Sequence, residues 1–301
     1  MRIAAALNLG RPIDAVVKQL RSFVEAGFSS AWGNQIQNYD TLTLFAVIGR
    51  EVPGIELGTG VVPVYPRHPS VLAQQALTVQ VATGNRLALG IGLSHRPVVE
   101  HVWGYSFEKP AEYMRAYLSA LVPMLEGESV TLTGPPITAI SRGPFDLPET
   151  TSPPVLLAAL GPAMLEIAGQ LTSGTVTWMT GTKTVESHIA PSIGRAAEAA
   201  GRPAPRVVVF LPVCVTADPD AARELINRSF AIYPTLPSYK AMLDREGASA
   251  AADISFVGTE EEVAADVGRL AEAGATELVA SVMGDAGERE RTLALLRSLA
   301  G

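Results

Sequence analysis

Residues 207–211 read VVVFL, apolar at every position, inside a longer run over 207–213. A strand exposed on one side alternates apolar with polar residues; one that is apolar throughout has both faces covered, as in a parallel sheet packed between helices. Working outward from it, short aliphatic or β-branched runs alternate with stretches of helical spacing along the whole chain. The runs fall at 3–8, 30–33, 55–61, 86–92, 155–160, 175–179, 207–213 and 277–282, eight candidate strands each followed by a candidate helix. Eight such units predict an α/β fold closed into a (β/α)8 TIM barrel, a single domain over residues 1–301. The alternative is two open-sheet domains, 1–150 and 151–301.

The helical stretches carry start and stop signals. Pro12 opens the first, Val16, Val17, Leu20, Phe23 and Val24 share one of its faces, and Gly27 closes it. Thr259 and Glu262 form a capping box ahead of Val263, Val267 and Leu270. Two regions break the rhythm and are read as insertions. Residues 128–154 are rich in Pro, Gly and Thr, with a short hairpin expected around 129–133; residues 233–253 look like an extra helix and loop.

Composition narrows the function. With 48% hydrophobic and 18% charged residues the chain can bury a large core. Its net charge of −7 and lack of any Lys/Arg run speak against nucleic acid as a partner, because counterion release needs clustered cations. The single cysteine, Cys214, allows neither an internal disulfide nor a cysteine-based metal site. The opening MRIAAALNLGRPID lacks an apolar run of signal-peptide length, and no stretch is long and apolar enough to span a bilayer. The expectation is a soluble cytoplasmic protein with no membrane partner.

In a barrel the active site lies where strands end and helices begin. Those ends hold no Asp or Glu for a glycosidase, no strand-end lysine for a Schiff base, no G-x-S-x-G elbow, and no histidine pair at metal-ligand spacing. A bound cofactor is therefore expected to carry the chemistry, with no metal. Gly90-Ile91-Gly92 and Gly161-Pro162 either let backbone N–H groups approach an anionic cofactor or serve as ordinary turns. Thr180-Gly181-Thr182-Lys183 reads as a phosphate or carboxylate site at a helix start, or as a simple Thr cap.

Three segments, IELGTGVVPVYPRHPSVLAQQ (55–75), GNRLALGIGLSH (84–95) and ALGPAMLEIAGQLTSGTVTWMTG (159–181), together with GFSSAW (27–32), resemble the bacterial-luciferase-like superfamily, and within it the F420-dependent oxidoreductases. The resemblance implies a TIM barrel, a deazaflavin or flavin lying across the carboxyl face, a small-molecule substrate and a homodimer. It implies a cis peptide at Gly60-Val61, with Val61, Val62 and Pro63 as an apolar shelf for the ring, and phosphate contacts from Gly90, Gly92, Gly161 and Pro162, with Leu160 and Ala163 offering backbone groups and Ser94 in the neighbouring loop. Many relatives end their second strand in Asp-His; here Asn34 and Gln35 stand there, better suited to hydrogen-bonding a ring or a carbonyl.

His95 is the candidate for proton transfer, since an ordinary imidazole titrates near neutrality; ordering its loop is the other reading. Trp32 and Trp178 either line the barrel mouth, with His68 and Thr180, as substrate neighbours, or pack in the core; His68 alternatively fixes a helix start. Tyr105, Phe107 and Tyr113 wall the pocket or pack the core. The resulting expectation is hydride transfer between C5 of F420 and a small organic substrate. The alternatives are an FMN-dependent monooxygenase and a non-catalytic flavin or F420 binder.

Overall fold

The computed structural model describes residues 1–145 and 147–300. Strand and helix alternate as β1 (Arg2–Ala6), α1 (Ile13–Glu25), β2 (Ser30–Gly33), α2 (Thr41–Glu51), β3 (Glu56–Thr59), a two-residue continuation β4 (Val62–Pro63), α3 (Pro69–Thr83), β5 (Leu87–Gly92) and α4 (Pro110–Leu125). An antiparallel hairpin, β6 (Val130–Leu132) and β7 (Ala139–Ser141), comes next. Then follow β8 (Val155–Ala158), α5 (Pro162–Leu171), β9 (Gly174–Trp178) and α6 (Thr182–Thr184), which runs through a π turn into α7 (Ala190–Ala199). The chain ends with β10 (Arg206–Val215), α8 (Pro219–Ser229), α9 (Pro237–Glu246), β11 (Phe256–Gly258), α10 (Glu260–Glu272), β12 (Glu277–Val282) and α11 (Ala286–Ala300).

Strands β1, β2, β3, β5, β8, β9, β10 and β12 pair in parallel in that order, and β12 returns to β1 to close the barrel. β11 was not foreseen. Its three residues have no period of their own and become a strand because β10 runs on to Val215, presenting Val213–Val215 as a free edge. The capping box forms as expected, the Thr259 hydroxyl accepting from the Glu262 N–H and the Glu262 carboxylate from that of Thr259.

Two apolar layers result from the strand period of two. Outward residues such as Leu57, Leu89, Leu157, Val209 and Leu278 pack under the helices. The inner layer is a separate cluster of Ala4, Trp32, Ala88, Leu156, Val176, Val208, Phe210 and Val279. Its residues are small on β1, β3 and β5, which leaves room for two large rings. A Cβ on Gly58 would stand 2.3 Å from the indole of Trp32, so the indole lies flat against that strand.

Of the two readings open for Trp32, the structure takes the core one: the ring is fully buried inside the barrel. Its indole N–H donates to the carboxylate of Glu277 at 2.7 Å, at the amino end of β12. Glu277, also fully buried, accepts from the Ser30 hydroxyl and pairs with Arg206 at 2.7 Å; Arg206 in turn reaches Glu56 at 2.8 Å, and Arg2 joins Glu56 at 3.2 Å. The barrel floor is thus an ion network, and Trp32 is its upward extension.

Candidate active site

The carboxyl face is built around an interruption of β3. Register runs Leu57 to Leu87 and Gly58 to Ala88, then resumes one residue out of step as Val62 to Ile91 and Pro63 to Gly92. The extra residue makes a bulge at Gly60-Val61, whose peptide bond is cis. The Thr59 hydroxyl ties the bulge to β5 by donating to the Gly90 carbonyl at 2.7 Å, and the Gly60 N–H donates to the Gly33 carbonyl at 2.8 Å. Val61 is half-buried at the mouth, while Val62 is fully buried.

The glycines of β5 serve this bulge. Gly90 and Gly92 lie inside β5, within the strand expected over 86–92, and are buried; of the two readings for them, the ordinary turn does not apply, since the turn begins only after them. A Cβ on Gly90 would meet the Thr59 carbonyl oxygen at 1.9 Å, and one on Gly92 would meet Val61 Cγ2 at 2.7 Å and Ala158 Cβ at 3.1 Å. They are glycine to let the bulge settle onto β5.

Next to Ala158, the loop after β8 opens α5. Gly161 stands at its N-cap with no capping side chain, and Pro162 begins the helix. The N–H groups of Ala163 and Met164 have no acceptor among the described residues, so this helix start is free to receive an anion. Leu160 offers less than expected. Its carbonyl already accepts from His188 Nε2 at 2.7 Å, and this buried histidine in the π turn fixes the loop from behind.

The start of α6 is filled. Glu246, from α9, places its carboxylate on the N–H groups of Lys183 (3.0 Å) and Thr184 (2.8 Å) and on the Thr184 hydroxyl (2.7 Å). The anion site read in 180–183 is real, but its anion comes from the chain itself. Thr180 is fully buried, its hydroxyl donating to the Trp178 carbonyl at 3.3 Å. His68 likewise acts locally: Nδ1 receives the Ser70 N–H at the start of α3, and Nε2 donates to the Thr138 carbonyl at 2.8 Å, fastening the β6–β7 hairpin.

Asn34 is exposed just past β2, its carboxamide making no hydrogen bond to a described residue. Gln35 is less available, because its Oε1 accepts from the Thr41 N–H at 3.3 Å at the start of α2. Ser94 adopts a left-handed conformation (φ 66°), turning the chain toward His95. The half-buried His95 ring makes no hydrogen bond to a described residue; burial pushes its pKa below the ordinary value, so at pH 7 it is neutral.

Over this face lies an aromatic roof that the sequence did not announce. Trp178, at the end of β9, meets Phe230 edge-on at 5.1 Å and Tyr233 at 5.8 Å; Tyr233 meets Tyr239 at 4.9 Å, and Tyr239 approaches His95 at 5.8 Å. The segment that carries α9 therefore bridges the loops after β9 and β5. A second aromatic group, Tyr65 stacked on Tyr113 at 4.4 Å with Tyr105 and Phe107 beside it, walls the side toward α4. The Tyr65 hydroxyl is buried without a partner among the described residues.

The family model described as luciferase-like monooxygenase matches residues 1–281. The chain belongs to that family. It is 27% identical, over 70% of its length and 64% of the relative's, to a 5,10-methylenetetrahydromethanopterin reductase of Methanolobus tindarius, so it spans under two thirds of that protein. Among solved structures, the coenzyme F420 dependent tetrahydromethanopterin reductase of Methanopyrus kandleri superposes with a TM-score of 0.82 at 20% identity, covering 98% of this chain and 97% of the other. An FMN complex of the oxygenating constituent of 3,6-diketocamphane monooxygenase from Pseudomonas putida superposes at 0.77 with 16% identity, over 100% and 96%. Among the described residues no helix is long and apolar enough to cross a membrane.

Proposed function

We propose that this luciferase-like protein is an F420-dependent oxidoreductase acting on a small organic substrate. The observation that carries the reading is the junction of Val61, Gly92 and Ala158. There an apolar shelf meets, within three residues of chain, a helix start with free N–H groups. This suits a cofactor with a planar ring and an anionic tail, and the F420-dependent reductase among the superposed structures supports the deazaflavin. Bound there, F420 supplies a hydride donor or acceptor at C5.

The chain's own residues do the rest. Val61 backs one face of the ring, with the buried Val62 and Pro63 supporting it from behind. Gly161, Pro162, Ala163 and Met164 hold the tail through backbone dipoles, and Asn34 offers a hydrogen bond to a ring edge or a carbonyl. Trp178 and the roof above it exclude water. His95, neutral and desolvated, accepts the proton when the substrate loses hydride. In this reading the protein works as one barrel domain whose two insertions shape the substrate site. It pairs as a homodimer through α2 and α3, because these two helices pack side by side, α3 carries no charged residue, and Val71 and Val81 of α3 and Val47 of α2 are exposed. A monomer in sedimentation would remove the homodimer.

Titrating the protein with F420 and with FMN, followed by fluorescence, tests the cofactor. Tight FMN binding without F420 binding turns the reading to the monooxygenase. Binding of F420 with no turnover on a panel of alcohols, ketones and pterins leaves a carrier. Gly161→Asp tests the helix start separately. The site has room for a Cβ and an ordinary φ of −82°, so an aspartate caps the helix and adds a few tenths of a kcal/mol, about what an N-cap side chain gains over glycine. It also puts a negative charge where the tail would sit. Unchanged cofactor affinity in that variant would remove the tail from α5.

A further inference from the structure

The two rings inside the barrel stand one above the other, one on Gly58 of β3 and one on Gly60 of the bulge that follows it. Trp32 rests on Gly58, and Phe210 rests on Gly60, where an added Cβ would fall 2.5 Å from Cζ of the phenyl ring. The rings meet edge-to-face at 5.7 Å and 86°. Below them Glu277 takes the indole N–H at 2.7 Å and is held by Arg206 at 2.7 Å. A continuous column of hard contacts therefore runs from the ion network on the floor to the underside of the bulge. Nothing compressible intervenes, since close-packed interiors pass a displacement on and do not absorb it.

We propose that Phe210 is a positioning residue that sets the height of the Gly60-Val61 bulge, and thereby of the shelf on which the cofactor ring lies. The inference rests on the cofactor reading above. Phe210 acts through Gly60. The same β10 parity places Val208 lower in the barrel, so no other side chain of that strand reaches the bulge from below. The floor of the barrel thus has a role at the mouth: the buried ions fix the indole, the indole fixes the phenyl ring, and the ring fixes the shelf.

The test compares Phe210→Leu with Phe28→Leu, which removes the same ring from an equally buried edge-to-face pair, Phe23 and Phe28 at 5.6 Å and 86°, far from the mouth. Three quantities are read: the F420 dissociation constant, the absorption band of bound F420, and hydrogen exchange of the backbone over residues 57–65. Phe210→Leu is expected to weaken F420 about tenfold, to move the bound band toward that of free F420, and to speed exchange over 57–65 about tenfold. Phe28→Leu is expected to lower the melting temperature comparably and leave all three within about twofold. Equal changes in both variants, or an affinity and exchange rate in Phe210→Leu within about twofold of wild type, overturn the proposal. If the wild-type protein binds neither F420 nor FMN, the cofactor reading falls, and exchange alone decides: unaltered exchange over 57–65 in Phe210→Leu shows that the ring does not hold the bulge.

Discussion

Glu277→Ala puts the floor of the barrel to a direct test. The carboxylate is fully buried and has four partners: the Trp32 N–H at 2.7 Å, the Ser30 hydroxyl, Arg206 at 2.7 Å and, more distantly, Arg2 at 3.7 Å. Removing it leaves the first two as buried donors with no other acceptor, at about 1–3 kcal/mol each. Arg206 keeps Glu56 at 2.8 Å, so its charge is not orphaned. The total falls at about 3–5 kcal/mol, the range found when one partner of a buried pair is deleted. In a protein of this size that lowers the melting temperature by on the order of 10 °C. The comparison is Glu51→Ala, which breaks an equally short pair with Arg21 at 2.7 Å on the surface and is expected to cost under about 1 kcal/mol. Glu277→Gln, which keeps an acceptor for Trp32 and Ser30 but loses the charge, belongs between the two. Urea unfolding followed by tryptophan fluorescence gives all three values. If Glu277→Ala proves no worse than Glu51→Ala, the floor is not anchored by this carboxylate and the column above it has no base.

Two further outcomes follow from the site. Burial lowers the His95 pKa below its ordinary value of 6.5, so as pH falls through 6.5 the unfolded chain takes up its proton before the folded one. The imidazole therefore subtracts stability on the acid side and is silent above neutrality. The stability of His95→Gln relative to wild type should rise between pH 7.5 and 5.5; a flat difference would mean the ring is not desolvated. The same variant should lose F420-linked turnover far more than F420 affinity, and an unchanged rate would free His95 of the proton. Glu246→Ala should uncover the start of α6, costing about 1–2 kcal/mol as a lost cap does. Millimolar sulfate or phosphate should then raise its melting temperature more than that of wild type, through the vacated N–H groups of Lys183 and Thr184; equal responses would show that Glu246 is not standing in for an anion.

The barrel was legible because its decisive signal is local. A run such as 207–213, apolar at every position, needs no knowledge of its partners to be read as a strand covered on both sides, and β2 and β12 fall where their runs predict. β11 escaped because it exists only through pairing with Val213–Val215, more than forty residues earlier in the chain. The bulge was legible in another way. The strand expected over 55–61 stops at Thr59, and only the resemblance carried by G-T-G-V-V-P indicated an irregular peptide at Gly60-Val61.

The site was harder to read because its residues are placed by distant ones. Trp32 has an aromatic side chain at a strand end, which locally reads as mouth; what sends it inward is a carboxylate 245 residues away and a glycine on the neighbouring strand. Thr180-Gly181-Thr182-Lys183 reads as an open anion site until Glu246, 62 residues on from Thr184, fills it. A signal for the rings was nevertheless present. Above the floor network, whose Arg2 and Glu56 share this parity, the inward positions of β1, β3, β5 and the bulge are all alanine or glycine: Ala4, Ala6, Gly58, Gly60, Ala88, Gly90 and Gly92. Half a barrel lined with such small groups cannot be left hollow, since interiors pack to crystal-like density. The volume has to come from large residues on the facing strands at matching heights, and on those strands the inward parity offers Trp32 on β2 and Phe210 on β10, beside Leu156, Val176, Val208 and Val279. Counting side-chain volume by parity around a presumed barrel would have assigned both rings to the interior. It would also have separated Trp32, beneath Phe210, from Trp178, which shares the inward face but ends its strand and has only the roof above it.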